Sequence, residues 1–194
     1  GNLLVAWSRA GLANDDWVWY DVYDGTSWSG VNQLSDDLGN QVENIVLRTR
    51  PGTNEIMMLA EESADVLYAY YWDGDSFGSQ TILTSDLEDG STGDPTSISA
   101  ERTFDFAWLE DGSTGVAYWG EEGYRLVSRT FSTSGGWAGS SVIRDSASSP
   151  DVQFIELTSS NWENKIRGWA YDDDNDLWIF ELNSTLGLAN YTEI

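Results

Sequence analysis

Residues 103–137 read TFDFAWLEDGSTGVAYWGEEGYRLVSRTFSTSGGW, and this stretch decides the fold class. Hydrophobic and polar side chains alternate along three short runs, separated by the turn-forming pairs Asp111-Gly112, Glu122-Gly123 and Gly135-Gly136. Successive side chains of a β-strand point to opposite faces, so this alternation is typical of a strand with one buried face. Asp-Gly and Glu-Gly supply the positive φ of a tight hairpin. The stretch therefore predicts a three-stranded antiparallel meander, with a fourth strand at residues 141–144.

The same pattern of strands and turns recurs along the chain with a period of about fifty residues, which is typical of propeller blades. We find no helical spacing of apolar residues, so the sequence argues against a helical repeat. We predict an all-β fold, a β-propeller-like array of about four antiparallel sheet units with three to four strands each. The units of this single predicted domain, residues 1–194, are approximately 1–40, 41–96, 97–146 and 147–194.

The charge and residue content restrict the function. The chain has 33 acidic and 9 basic residues, a formal net charge of -24, and neither histidine nor cysteine. The negative electrostatic field of such a chain would repel the phosphate backbone of a nucleic acid, so we expect no nucleic-acid partner. Thiolate and imidazole chemistry are absent, and any catalysis would depend on carboxylates. No apolar run approaches the roughly 20 residues that span a bilayer, so we expect no membrane insertion by this chain.

The first unit differs from the later ones because it starts at its second strand. The later units open with an additional strand, at residues 42–48, 103–109 and 152–157, whereas the first begins directly at residues 3–7. An unfilled sheet edge favours pairing with another strand. Residues 187–194 could fill it, a strand removed from before residue 1 could have filled it, or a neighbouring subunit could supply a donated strand or packing surface. We favour the neighbouring subunit. Because the sequence starts at a glycine, we also expect it to be a processed or excised piece of something longer.

Several motifs resemble a known repeat. FDFAWLEDG (residues 104–112) with GVAY (115–118) is similar to an "FDVA(W/F)E..SG.ALV.Y" hairpin, and YDGTSW (23–28) and YWDGDSF (71–77) are similar to a strand ending in "WDG..W". Such repeats occur in large secreted and cell-surface proteins of bacteria and archaea. The resemblance implies a β-propeller-like module of an exported protein, sometimes linked to pilin or filament subunits. It carries no catalytic residue over to this chain.

One acidic cluster is a candidate calcium site. Asp172, Asp174 and Asp176 place carboxylates at alternate positions, as a calcium loop does. The glycine and the bidentate glutamate of such a loop are missing, which favours a solvated hairpin tip. Residues 24–28 resemble an aspartate box but lack the residue between Asp and Gly, so we interpret them as a structural turn. We expect no cofactor other than this candidate calcium.

Other side chains suggest contact with sugars. Tryptophan offers a flat apolar face for stacking on a sugar ring. The candidate stacking residues are Trp17, Trp19, Trp119, Trp162 and Trp169. Filling the space between sheets is the competing role for these aromatic side chains. The acidic pairs Glu61-Glu62 and Glu121-Glu122 are interpreted as solvated hairpin tips rather than catalytic carboxylates. Two sequons, at Asn183 and Asn190, are candidate glycosylation sites in an exported chain.

These observations favour a non-enzymatic structural or adhesive module of an extracellular or cell-surface assembly, such as the globular part of a pilin-like filament subunit. The expected partners are other protein subunits, by self-assembly or a donated strand, and glycans. The first alternative is a carbohydrate-binding, lectin-like propeller module. The second alternative is a carboxylate-based glycosidase.

Overall fold

The computed structural model describes residues 2–9, 17–34, 36–88, 102–121, 125–145, 152–160, 163–172, 176–182 and 188–193. This part of the chain contains sixteen β-strands and no helix. The strands form four antiparallel sheets, which we number I to IV in chain order. The all-β class that the alternation predicted is therefore confirmed. The described residues include no helix that is long and apolar enough to cross a membrane.

Each sheet is built from strands that follow one another in the chain. The strands of sheet I are β1 (Leu3–Trp7), β2 (Trp19–Tyr23) and β3 (Asn32–Gln33). Those of sheet II are β4 (Val42–Thr49), β5 (Ile56–Glu62), β6 (Val66–Trp72) and β7 (Thr81–Thr84). Those of sheet III are β8 (Phe104–Trp108), β9 (Gly115–Glu121), β10 (Arg125–Ser132), β11 (Gly136–Trp137) and β12 (Ser141–Asp145). Those of sheet IV are β13 (Val152–Ser160), β14 (Lys165–Asp172), β15 (Leu177–Leu182) and β16 (Leu188–Glu193).

Sheet III has five strands because its outer strand is broken in two. Strands β11 and β12 both pair with β10, at different points along its length. Sheet II shows the same break, since Phe77 forms an isolated bridge with Trp72 before β7 begins. Sheet I repeats it with the bridge between Tyr23 and Trp28. The extra strand is thus a longer version of a bridge that two other sheets also contain.

Sheet I lacks the strand that opens the other three sheets, as the sequence predicted. Its strand order is β1-β2-β3, and it is the only three-stranded sheet among the described residues. The C-terminal strand β16 does not fill the gap, because it pairs antiparallel with β15 in sheet IV. The alternative in which the C-terminal segment completes sheet I is therefore wrong. The donated strand stays a prediction.

The chain divides into two compact units, residues 1–85 and 86–194, each containing two sheets. In the first unit, sheet I packs on sheet II through two apolar clusters. One is built around Val18, Met58 and Tyr70, and the other contains Leu4 and Trp72. Burial of these side chains removes apolar surface from water and holds the two sheets together.

In the second unit, sheet III packs on sheet IV through one larger cluster. Tyr118 of β9 stacks on Phe180 of β15, with ring centroids 5.4 Å apart. The Ile155 N–H of β13 donates to the Arg102 carbonyl at 2.9 Å, so the backbone just before β8 also contacts the first strand of sheet IV. The remaining buried apolar members of this cluster are Ala107, Leu109, Val116, Leu126, Val152, Leu157, Ile166, Ala170, Trp178 and Leu182.

Candidate functional site

An Asp-Gly turn positions the aromatic side chains that lie between sheets I and II. Oδ1 of Asp73 accepts hydrogen bonds from the Asp75 and Ser76 N–H groups, both at 2.9 Å. The matching turn at residues 24–27 repeats these contacts at 2.8 Å. In both turns the N–H donors hold the pKa of the first aspartate below its ordinary value. Residues 24–28 form the structural turn that the sequence predicted, and the turn in sheet II brings Phe77 back towards the core.

Phe77 joins an aromatic cluster with one side chain from each sheet. Its ring centroid lies 5.1 Å from that of Tyr20 in β2 and 5.1 Å from that of Trp72 in β6. Tyr20 and Trp72 are themselves 5.9 Å apart in an edge-to-face arrangement. These geometries are the ones that aromatic pairs favour, so the cluster forms a rigid floor.

A cleft of about 320 Å³ lies above this floor, within the first unit. Tyr20 and Trp72 contribute aromatic surface, and Ser29, Asn32 and Asp75 contribute polar groups. The volume falls at the lower end of the roughly 300–1,000 Å³ that is usual for small-molecule sites. The cleft therefore combines the two kinds of surface that a small polar ligand with an apolar face requires.

Hydrogen bonds orient the polar side chains at one side of the cleft. The Ser29 hydroxyl donates to Oδ1 of Asp21 at 2.8 Å. The Asn32 side-chain amide donates to the Gly30 carbonyl at 2.7 Å and to the Ser29 hydroxyl at 3.3 Å. This network fixes the orientation of the Asn32 amide and leaves its carbonyl oxygen as an acceptor of further hydrogen bonds.

Tyr20 contributes a hydroxyl as well as a ring. Burial raises the pKa of Tyr20 above its ordinary value of 10.0. The hydroxyl therefore stays protonated at neutral pH, and it can donate one hydrogen bond and accept others.

A second concave surface lies on sheet IV, on the face opposite to the one that packs on sheet III. We call it the outward face of sheet IV and define it by Phe154, Trp169, Tyr171, Leu177 and Ile179. The rings of Phe154 and Trp169 stack with centroids 4.8 Å apart. Trp169 is 38% exposed and Ile179 is 45% exposed. The hollow over this face measures about 630 Å³. It is lined by the apolar side chains of Trp169, Leu177 and Ile179, together with Glu156, Thr158, Arg167 and Gly168.

A cluster of ion pairs borders the outward face of sheet IV. Glu181 accepts from Lys165 at 2.9 Å and from Arg167 at 3.0 Å. Arg167 also donates to Glu163 at 2.6 Å. These contacts lower the pKa of Glu181 and raise those of Lys165 and Arg167. Each cation is paired, so the border is nearly neutral despite the acidic chain.

The structure gives the acidic cluster at residues 172–176 a structural role in its hairpin. Asp172 is buried, and its Oδ1 accepts a hydrogen bond from the Asp176 N–H at 2.9 Å. Asp174 lies outside the described residues, as does the rest of the tip, 173–175. In the part of the chain that the structure covers, no three acidic side chains come together as metal ligands. The calcium site stays a prediction.

The two sequons are only partly described. Asn183 lies outside the described residues. Asn190 belongs to β16, where its backbone lies opposite Glu181 in the register of sheet IV. Glycosylation at both positions stays a prediction.

The five candidate stacking tryptophans have different environments. Trp119 is fully buried, and its indole N–H donates to Glu121 at 2.9 Å. Trp17 and Trp19 are half-buried, and the Arg9 guanidinium lies over the Trp19 ring at 4.2 Å. Trp162 is outside the described residues. Trp169 is exposed on the outward face of sheet IV, where its ring stacks on that of Phe154.

The interpretation of the acidic pairs as solvated tips was wrong for Glu61 and Glu62. Both lie within β5 and are buried, at 6% and 3% exposure. Glu61 accepts a hydrogen bond from the Asn44 amide at 2.7 Å. Burial raises the pKa of Glu62, and the charge of Asp65 adds to this effect. Glu121 is half-buried and accepts a hydrogen bond from the Trp119 indole, and its neighbour at position 122 lies outside the described residues.

Two of the solved structures that align with this chain are lectins. BP39L lectin from Burkholderia pseudomallei aligns with a TM-score of 0.64 at 12% identity, over 98% of this chain and 55% of that chain. The fold is a β-propeller-like array. Aleuria aurantia lectin, solved as a mutant in complex with Fucα1-6GlcNAc, aligns with a TM-score of 0.62 at 13% identity, over 100% of this chain and 56% of that one. The predicted fold class is confirmed, and the chain spans about half the length of these lectins.

A second structure of Aleuria aurantia lectin, in complex with α-methyl-L-fucoside, aligns with a TM-score of 0.56 at 15% identity, over 92% of this chain and 51% of that chain. No protein-family model and no curated protein matches the sequence. At such low identity the structural similarity establishes the fold and no individual binding residue.

Sequence reasoning missed the cleft between sheets I and II. Its aromatic floor comes from β2 and β6, whose tips were recognised only as turns. Tyr20 and Trp72 are 52 positions apart in the sequence, and only the packing of the sheets brings them together. The similar Asp-Gly turns that follow β2 and β6 were the one signal in the sequence that could have indicated that these two strands end close together.

Proposed function

We propose that this chain is a non-enzymatic, carbohydrate-binding adhesive module, with its glycan site in the cleft between sheets I and II. The observation that carries the proposal is the combination of an aromatic floor with polar side chains held in fixed orientations. A sugar has apolar C–H faces and a rim of hydroxyl groups, so both surfaces find a complement there. The 320 Å³ cleft has room for one or two sugar residues.

Two structures that share this fold hold fucosides, which supports carbohydrate as the class of ligand. The identities of 13% and 15% are too low to carry any binding residue across. The chemistry of the cleft itself supplies the residue roles. Asn32 and Asp75 would bind hydroxyl groups, while Tyr20 and Trp72 would contact the apolar face of the sugar.

Calorimetric titration with α-methyl-L-fucoside, and then with a panel of other methyl glycosides, tests this site. Asn32→Ala removes an oriented amide and should weaken binding about five- to tenfold, as the loss of roughly 1 kcal/mol of hydrogen bonding does. Gln33→Ala is the matched control, since Gln33 is the adjacent residue of β3 and is also exposed. No binding to any glycoside would contradict the proposal. Binding that depends on Trp169 and not on Asn32 would move the site to sheet IV.

The absence of enzymatic activity is part of the proposal. Several buried carboxylates already support the backbone or a neighbouring side chain, as Asp105, Asp172 and Glu61 do. A panel of chromogenic glycosides should therefore show no turnover. Turnover abolished by one Asp or Glu substitution in a folded variant would instead support a carboxylate-based glycosidase.

We also propose that the module works within an exported, cell-surface assembly and belongs to the secreted prokaryotic repeats that its motifs resemble. The net charge of -24 is compatible with a saline exterior, where salt screens the repulsion between carboxylates. Among the described residues β1 pairs only with β2, and its other edge is where a donated strand would pair. Adding a synthetic strand peptide and measuring a rise in melting temperature would test this edge, and a constant melting temperature would contradict it.

A further inference from the structure

In the order of the repeat, the outward face of sheet IV corresponds to the face that sheet III turns towards sheet IV. Sheet III turns Ala107, Val116 and Tyr118 towards sheet IV, and all three are buried there. The outward face of sheet IV points away from sheet III. Trp169 and Ile179 on that face remain 38% and 45% exposed. In the order of the repeat, this is the face on which a following sheet would pack.

Sheet I has a complementary outward face. Leu4 and Ala6 of β1 point towards sheet II and join its apolar clusters. Side chains alternate along a strand, so Leu3, Val5 and Trp7 lie on the other face. Leu3 is 53% exposed, and the other two are half-buried. We call these three residues the outward face of sheet I.

We propose that the outward face of sheet IV binds the outward face of sheet I from a second copy of this chain. Each sheet-to-sheet contact within the two units joins one sheet to the next in chain order, I to II and III to IV. The contact from IV to I of another copy continues this series. Both surfaces carry exposed apolar side chains, and contact between the two faces would remove Trp169, Ile179 and Leu3 from water.

The greater chain length of lectins with the same fold supports a second copy as the partner that covers the outward face of sheet IV. This chain spans 55% and 56% of two lectins that share its fold. A second copy supplies about as much chain as those lectins contain beyond the aligned part. Another sheet is also the partner best suited to a broad face of aliphatic and aromatic side chains, because sheets pack face to face through interdigitated apolar side chains.

The charges on the chain determine the conditions under which two copies associate. Each copy carries a formal net charge of -24, which opposes association at low ionic strength. The border of the sheet IV face is nearly neutral, because Lys165 and Arg167 pair with Glu163 and Glu181. Salt screens the overall repulsion and leaves the apolar contact intact. Association should therefore strengthen between about 0.1 and 1 M sodium chloride.

Sedimentation equilibrium over a range of protein concentrations in 1 M sodium chloride tests the proposal. The mass should rise from 21.6 kDa towards twice that value with concentration. Ile179→Lys should raise the dissociation constant at least tenfold. The matched control is Val142→Lys in sheet III, since Val142 is also exposed, at 51%, and lies outside both faces. A constant mass of 21.6 kDa, or a dimer unaffected by Ile179→Lys, would overturn the proposal.

Cross-linking identifies the partner face, because the chain contains no cysteine of its own. An equimolar mixture of Ile179→Cys and Leu3→Cys should give a disulfide-linked heterodimer under mild oxidation. Each variant alone should give little covalent dimer. Efficient self-linking of Ile179→Cys would show that sheet IV packs on its own copy, which would overturn the pairing with sheet I.

Discussion

The Leu157 N–H donates a hydrogen bond of 2.8 Å to Oδ2 of Asp105, so one buried carboxylate connects sheet IV to sheet III. Oδ1 of Asp105 accepts a second hydrogen bond from the Phe106 N–H at 2.7 Å. The Arg102 guanidinium lies 3.5 Å from Oδ2 and also donates to the Ile155 carbonyl at 3.0 Å. Hydrogen-bond donors stabilise a buried carboxylate. Two of the donors here, the Leu157 and Phe106 N–H groups, belong to the first strands of sheets IV and III.

Asp105→Ala should therefore destabilise the second unit by about 3–5 kcal/mol, the usual cost of removing one partner of a buried ion pair. Asp105→Asn is the matched control, because it retains the size and one acceptor oxygen and should cost clearly less. Urea unfolding at neutral pH measures both free energies. A loss below about 1 kcal/mol for Asp105→Ala would show that the carboxylate is not needed between the sheets.

Gly168 in β14 lies directly opposite Phe180 of β15, and the ring occupies the space of a side chain. A Cβ at Gly168 would approach the Phe180 ring to 2.5 Å and Leu157 to 2.6 Å. Gly168→Ala should therefore cost about 1–3 kcal/mol through overpacking. Gly139→Ala is the control, because a Cβ there meets no atom within 4 Å. Equal thermal stability of the two variants would contradict the packing assignment.

The buried Glu62 should make stability depend on pH in a defined direction. Its pKa is raised above the ordinary value of 4.5, so between the unfolded and folded pKa values the folded chain holds more protons. The free energy of unfolding then falls as pH rises through this window. The contribution of the neutral Glu62 to stability is complete only below the unfolded pKa.

Glu62→Gln cannot ionise, so it should not lose stability as pH rises. Its free energy of unfolding relative to the wild-type chain should therefore increase between about pH 4 and 7. Glu61→Gln is the matched comparison, because Glu61 is the neighbouring buried carboxylate of β5 and accepts a hydrogen bond from Asn44. Chemical denaturation across this pH range measures the difference. A difference between Glu62→Gln and wild type that does not vary with pH would mean that Glu62 is not held in its neutral form.

Salt should stabilise the chain because 33 acidic side chains face only 9 basic ones. The Debye length falls from about 30 Å at 0.01 M to about 3 Å at 1 M salt. The melting temperature should therefore rise by a few degrees over this range. Calcium at low millimolar concentration tests the predicted site at Asp172, Asp174 and Asp176. Stabilisation beyond that of sodium chloride at equal ionic strength would establish it, and equal effects would exclude it.

The sequence alone determined the all-β class, the repeat and most strand positions. Strand Leu3–Trp7 begins and ends where the sequence predicted, and Val42–Thr49 and Ser141–Asp145 extend only one residue beyond the predicted 42–48 and 141–144. These features follow from local rules, because a two-residue period and an Asp-Gly turn act over a few neighbouring positions. The missing first strand of sheet I could be recognised for the same reason, by comparing one repeat with the next.

Tertiary structure alone decided which side chains are buried and which lie together. The pair Glu61-Glu62 resembled a solvated tip, yet the packing of β5 buries both carboxylates. The cleft joins Tyr20 to Trp72, and the outward face of sheet IV is exposed although its aromatic residues resemble those of buried sheets. Alternation in a sequence shows that a strand has two faces. Whether a neighbouring sheet covers each face depends on long-range packing, which no local pattern records.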